Sequence, residues 1–281
     1  TRLHQRKMKK LFQPIDNAPL IIFRIFFGFL LAAETFGAIL TGWVKENFIK
    51  PAFTFSHIGM EWLQPLPGNG MYFYFAAMGF LGILVMIGYH YRFSLSVFTI
   101  LWTLTYWMQK TSYNNHYYML ILVCLIMIFL PANRYASVDA KQNPEIKSWS
   151  MPQWCSWVMI LQITIVYLFA TLSKFYPDWL DGTFTKNLLA NKSPYLFVQN
   201  IFNQKWFYLF IAYSGIAFDL LIVPMLLWKR TRTFAFVASL MFHLFNAVTL
   251  QIGIFPFFAL SFAVFFKKKK KMRSIFFKKK A

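Results

Sequence analysis

The sequence predicts an all-α fold: a polytopic bundle of about eight transmembrane helices, seven being the other count the pattern allows. Three observations carry this. Hydrophobic residues make up 58% of the chain and aromatic residues 21%, above the roughly half apolar content of a soluble domain. Apolar runs long enough to cross a bilayer recur along the 281 residues, which sets the class before any domain counting. The basic residues gather at the two ends and in short turns instead of spreading over one face.

The elements follow in order. Pro19 to Thr41 is the first apolar run. Residues 42–70 form an aromatic, Pro-rich stretch with Lys45, Glu46, Lys50, His57, Glu61 and the turn sequence PLPGNG, which reads as interfacial helix and loop. Met71 to Gly88 is the second span, and the basic turn His90 to Arg92 leads into a third at Phe93 to Gln109. After a polar link from Lys110 to Asn115, a fourth span runs from His116 to Leu130 and stops at Pro131. The polar stretch 132–151 precedes a fifth span, Pro152 to Ser173, and residues 174–205 form the longest polar interruption. Trp206 to Trp228 and Phe234 to Leu250 are the sixth and seventh spans, joined by the basic turn Lys229 to Arg232. Ile254 to Phe266 is an eighth span or a broken continuation, set off by Gly253 and bent by Pro256.

The organisation is then a basic, cytoplasmic amino-terminal segment over 1–18, a membrane domain over 19–266 and a basic low-complexity tail over 267–281. The formal net charge is +20, from 29 Lys and Arg against 9 Asp and Glu. Arg2, Arg6, Lys7, Lys9 and Lys10 crowd one end; Lys267 to Lys271, Arg273 and Lys278 to Lys280 crowd the other. Clusters flanking apolar helices mark the cytoplasmic side and contact anionic lipid, so the expected partner is the membrane and not nucleic acid. With the amino terminus inside, the turns 90–92 and 229–232 and the stretch 132–151 fall inside as well, while 110–115 and 174–205 face outward. The carboxy-terminal lysines favour an inside terminus and hence eight spans. No cleavable signal peptide is expected, because the first apolar run is too long and has no small-residue cleavage site. Cys124 and Cys155 lie in or beside apolar runs and suggest core residues, not a disulfide framework or a metal site.

Ionisable groups at membrane depth are costly, so each needs a partner or an aqueous path. Arg24 and Glu34 share the first span, roughly 15 Å apart along a helix, and are not expected to pair with each other. They serve either as interhelical polar clamps or in function. Asp219 and His243 lie on consecutive spans at similar distances from the turn near Arg230, which predicts a hydrogen bond between them. The two outer links concentrate polar chemistry. The segment Lys110-Thr-Ser-Tyr-Asn-Asn-His116 brings Tyr113, Asn114, Asn115 and His116 to the mouth of two helices. The segment Lys174-Phe-Tyr-Pro-Asp178-Trp179-Leu-Asp181-Gly182 places a lysine where the fifth span ends. A lysine there either snorkels to the headgroups or, in a partly dehydrated aromatic pocket, serves as a base.

At these residues the chain resembles the vitamin K-dependent gamma-glutamyl carboxylases and their bacterial HTTM-domain relatives. KTSYNNH at 110–116, ANRYASVD at 132–139, K-x-x-x-D-W-x-x-G at 174–182, the span holding Asp219, and FH-x-x-N at 242–246 occur in the same order, and the likeness covers about 15–266. The resemblance implies a membrane lyase that uses reduced vitamin K (a menaquinol-type quinone), oxygen and carbon dioxide, and no metal. A lysine deprotonates the quinol; oxygenation creates a strong base that removes a γ proton from a protein or peptide glutamate; carbon dioxide adds to the carbanion, and the quinone leaves as its epoxide. Lys174 matches the family's base, His116 and Asn115 match polar residues lining its reaction site, and His243 matches a further family histidine. The expected site is Lys174 and His116 as catalytic groups, with Asn115, Asn114, Tyr113, His243, Asp178 and Trp179 binding substrate or quinone and Asp219, Arg24 and Glu34 as structural polar groups. Lys174 is expected to point inward toward His116 and Asn115, and its replacement by alanine to leave the bundle folded.

The chain also departs from the animal enzymes. They carry a second lysine before the base and a tryptophan in the first motif, where this chain has Ser173 and Tyr113. They continue into a long lumenal portion that engages the substrate propeptide, and the tail 267–281 offers no counterpart. Two other readings stand beside the enzyme: a small transporter or lipid-binding bundle, against which the lack of a paired inverted repeat counts, and a membrane accessory or peptide-maturation subunit, as in the bacterial sporulation-delaying peptide system.

Overall fold

The computed structural model describes residues 11–190, 196–250, 253–267 and 269–277. The basic cluster from Arg2 to Lys10, and Lys268 and Lys278 to Lys280, lie outside the described residues. The chain divides into two compact units, Thr1–Met159 with Lys267–Ala281, and Ile160–Phe266.

The first unit opens with strand β1 (Pro14–Asp16) and helix α1 (Ala18–Leu40). Asp16 Oδ1 accepts the Ala18 N–H at 2.8 Å, and Pro19 occupies the first turn, where its missing N–H costs nothing. α1 packs on α2 (Gly70–Ile87) through small residues. A Cβ on Gly28 would run into the Met86 backbone, and one on Gly82 would lie 2.6 Å from the Ala32 nitrogen. The two backbones therefore touch, as close-packed membrane helices require. α3 (Tyr91–Met108) and the shorter α4 (Asn115–Phe129) come next, followed by the short helix α5 (Val138–Gln142), strand β2 (Ser150–Pro152) and the first turns of α6 (Trp154–Leu172). β1 and β2 pair antiparallel with Ile15 opposite Met151, a ladder the sequence reading did not anticipate. Helix α13 (Lys269–Phe276) also packs in this unit, against α1 and β1.

The second unit holds the rest of α6, the short helices α7 (Pro177–Leu180), α8 (Thr183–Leu189) and α9 (Leu196–Phe202), then α10 (Lys205–Leu227) and α11 (Arg232–Leu250). α12 (Phe255–Ser261) continues as a 3₁₀ segment, Phe262–Phe266. The interruption expected over 174–205 is thus mostly short helices. The stretch 42–70 begins with a π-helical turn, Lys45–Ile49, and continues as loop.

Among the described residues, four helices are long and apolar enough to cross a membrane, α1, α2, α6 and α10, and residues 115–129 and 255–266 are shorter apolar helices. α3 and α11 have membrane length but carry polar residues turned inward, among them Thr99, Thr105, Ser239 and His243. The outward surfaces are apolar: Phe29 and Leu40 on α1, Phe73 and Phe80 on α2, Phe169 on α6, Phe210 on α10 and Val248 on α11 are exposed. Helices apolar on both their packed and free sides belong in lipid. The protein is an all-α helical membrane bundle.

Candidate functional site

Arg24 is fully buried in α1, and its Nη2 donates to the Ala136 carbonyl at 2.6 Å. It meets the segment Ala132–Asp139, which works as a scaffold. The Asp139 carboxylate accepts the His90 and Tyr91 N–H groups at 2.7 and 3.1 Å and the Asn133 amide at 2.7 Å, closing the turn between α2 and α3. Ser137 caps α5 through the Ala140 N–H and donates to the Asn133 carbonyl. The ANRYASVD motif therefore joins three elements. Arg24 is a clamp to this motif, and Glu34 has a different partner, accepting from the Tyr117 hydroxyl at 2.9 Å.

At the other end of α3 and α4, the KTSYNNH segment is tied to the loop over 42–64. Gln109 bridges Asn47 and Phe55, Ser112 donates to Asn47 Oδ1 at 2.8 Å, and the Lys110 N–H reaches the Phe55 carbonyl at 2.6 Å. Asn114 caps α4 by accepting the Tyr117 N–H at 2.9 Å, and Tyr113 donates to Asn115 Oδ1 at 2.7 Å. Asn115 is exposed and His116 half-buried. Beneath this cover lies a small pocket of about 10 Å³, lined by Trp43, Phe48, Trp102, Tyr106 and Tyr117 with Thr105, Gln109 and Ser112. Its walls are aromatic with a few polar groups, and the space itself has room for about one water molecule. Tyr117, on which this pocket and Glu34 converge, was missed by the sequence reading.

In the second unit, Lys174 does not snorkel. Its Nζ donates to Asp219 Oδ2 at 2.6 Å and to the Ala170 carbonyl at 3.0 Å, and lies 5.1 Å from the centre of the Trp179 ring. The two charged side chains are 16% and 6% exposed, so the pair is largely desolvated. Trp179 is fixed by its own Nε1 bond to the Ala212 carbonyl at 3.0 Å and by stacking on Phe184. Gly182, at φ +83°, turns the chain into α8 where a Cβ would strike the Tyr208 ring 2.6 Å away. The K-x-x-x-D-W-x-x-G pattern thus supplies an amine, a tryptophan wall and the turn that returns the chain onto α10. Asp178 is exposed in the first turn of α7 and does not join this cluster. Asp181 is held below the usual carboxylate range by the Thr183 N–H, which it accepts at 2.8 Å.

The expected Asp219–His243 hydrogen bond is not formed. His243 Nε2 instead lies 2.9 Å from the Tyr167 hydroxyl, and its buried Nδ1 has no hydrogen-bond partner among the described residues. The reason is partly register. Asp219 lies eight residues from the end of α10, whereas His243 lies eleven into α11, about 4.5 Å deeper at the helical rise. It is also electrostatic, since a buried carboxylate gains more from an ammonium than from a neutral ring. Tyr167, Thr171 and Lys174 form an i, i+4, i+7 stripe, a spacing that marks one helical face in the sequence.

A family model for the HTTM domain matches residues 12–270. The chain belongs to the HTTM domain family. This domain is associated with vitamin K-dependent carboxylase-like membrane proteins. No solved structure matches the chain. Within this HTTM domain, the Lys174–Asp219 pair and the small aromatic pocket under 110–116 both set polar groups among aromatic side chains.

Proposed function

We propose that this HTTM domain is a membrane enzyme similar to vitamin K-dependent gamma-carboxylase, coupling oxygenation of a reduced vitamin K-type quinone to proton abstraction from, and carboxylation of, a glutamate side chain. The observation that carries the reading is the inward Lys174, held 2.6 Å from Asp219 in a largely desolvated pair. A lysine placed for the headgroup layer has no use for a buried carboxylate partner.

When bound, a menaquinol-type quinol supplies the reducing power and oxygen chemistry that no side chain can provide. The chain's own residues hold and move the proton. The Lys174–Asp219 ion pair has room for one proton in all: with the ammonium's proton passed to the Asp219 carboxylate across their short bond, the neutral Lys174 amine takes the quinol's proton, leaving an ammonium beside a neutral carboxylic acid. Trp179 covers the amine and keeps bulk water away, which a carbanion step requires. Trp43, Phe48, Trp102 and Tyr106 line the small pocket and would supply stacking faces to an aromatic ring once they part to admit it. His116 and Asn115 supply polar groups at the same end of α4 for a quinone oxygen or a carboxylate. Carbon dioxide and a protein or peptide glutamate complete the reaction. The reading places the links 110–115 and 174–205 on the non-cytoplasmic side and the amino terminus in the cytoplasm, as the distribution of Lys and Arg requires.

Substitution at Lys174 tests the assignment through the chemistry of the amine. In a purified chain supplied with a reduced naphthoquinone and oxygen, Lys174→Arg is expected to lose epoxide formation nearly as fully as Lys174→Ala, because a guanidinium stays protonated. A small exogenous amine is expected to restore part of the activity to the alanine variant. Wild-type turnover in the arginine variant would remove the base from the mechanism.

A further inference from the structure

Arg273 and Asp16 are 257 residues apart in sequence and form a bidentate ion pair, Nε to Oδ2 at 2.6 Å and Nη2 to Oδ1 at 2.8 Å. Nη2 also donates to Asn17 Oδ1 at 2.6 Å, and the guanidinium lies over the rings of Trp149 at 4.4 Å and Tyr135 at 5.1 Å. The paired side chains are 12% and 17% exposed, and the neighbouring Met272 is buried. Arg273, which the sequence grouped with a basic low-complexity tail, is therefore turned into an aromatic notch at the head of α1. An arginine fork matched to a carboxylate and covered by rings is a positional lock that lysine could not reproduce.

What α13 leaves outward is different in kind. Ile275 and Phe276 are 65% and 60% exposed. The same helix carries Lys269, Lys270 and Lys271 and no acidic residue, and the exposed Lys267 precedes it. Two large exposed apolar side chains on a helix whose sequence is rich in lysine, fixed beside the start of a membrane span, match a segment lying in the headgroup layer. The charge selects the occupant, since each lysine near a surface adds attraction to anionic lipid and would repel a basic protein partner. We infer that α13 is a surface-lying helix whose occupant is an anionic lipid headgroup layer, latched by Arg273 at the membrane face where α1 begins.

The inference is tested with Ile275→Cys labelled with bimane, in nanodiscs of phosphatidylcholine alone and of phosphatidylcholine with phosphatidylglycerol. The expected result is a blue shift and protection from iodide in the anionic discs. Both should be lost at high salt and in Lys269→Gln/Lys270→Gln/Lys271→Gln. The same emission and quenching in both lipid compositions, read on the chain with its lysines intact, would overturn it whatever the triple variant does.

Discussion

The Lys174 ammonium and the Asp219 carboxylate meet at 2.6 Å, joining the end of α6 to the middle of α10. This pair changes what a substitution at Lys174 does. Alanine would leave Asp219 buried without its counter-ion, so the expectation that the bundle tolerates this change gives way to a cost of roughly 3–5 kcal/mol for a broken buried pair. The double variant Lys174→Ala/Asp219→Asn removes both charges and is expected to recover most of that loss. Thermal unfolding in detergent of the two singles and the double measures this, and additive losses would show that the pair does not couple.

Tyr167 and His243 form a second, neutral contact on the same face of α6. Tyr167→Phe keeps the ring and removes the hydroxyl, leaving the second imidazole nitrogen buried without its hydrogen-bond partner. The expected cost is about 1 kcal/mol, read as a modest fall in unfolding temperature. A variant as stable as wild type would show that this bond contributes nothing net.

The α1–α2 contact depends on bare backbone at Gly28 and Gly82. Gly82→Ala pushes a methyl group to 2.6 Å from the Ala32 nitrogen, so the helices must separate. We expect a loss of about 1–3 kcal/mol, whereas Gly37→Ala, with open space around it, should be neutral or slightly stabilising. Equal effects at the two positions would contradict the packing described.

On the proposed orientation, a cysteine introduced at Ser112 should react with a membrane-impermeant maleimide added outside intact cells, and one at Arg92 only after permeabilisation. Native Cys124 and Cys155 are buried and give little background. Labelling of position 112 from the cytoplasmic side alone would invert the assignment.

Much of this was legible in the sequence, because a bilayer imposes simple rules. The expected second and sixth spans fall within a residue of α2 and α10, since apolar length dictates them. Arg24 and Glu34 were rightly kept apart. What depended on three-dimensional partnering was not legible. Nothing local marks Asp16 as the partner of Arg273, or Asp139 as the cap for the turn at His90 and Tyr91. The Asp219–His243 expectation failed because the two helices start and end at different distances from the turn, which leaves His243 about 4.5 Å deeper, and because a lysine just past the end of α6 was the better partner. Tyr167 and Tyr117 were readable by their spacing to Lys174 and His116, but in a chain where 21% of residues are aromatic two tyrosines carry little signal.

The central claim is that Lys174 is the base of a quinol-dependent oxygenation, and epoxide formation measures it most directly. The purified chain is given a reduced naphthoquinone and oxygen, the epoxide is quantified by chromatography, and the same is done for Lys174→Ala after confirming that it remains monodisperse. The account predicts epoxide from the wild type and none above background from the folded alanine variant. Full epoxidation by that variant, or none by the wild type, would contradict it.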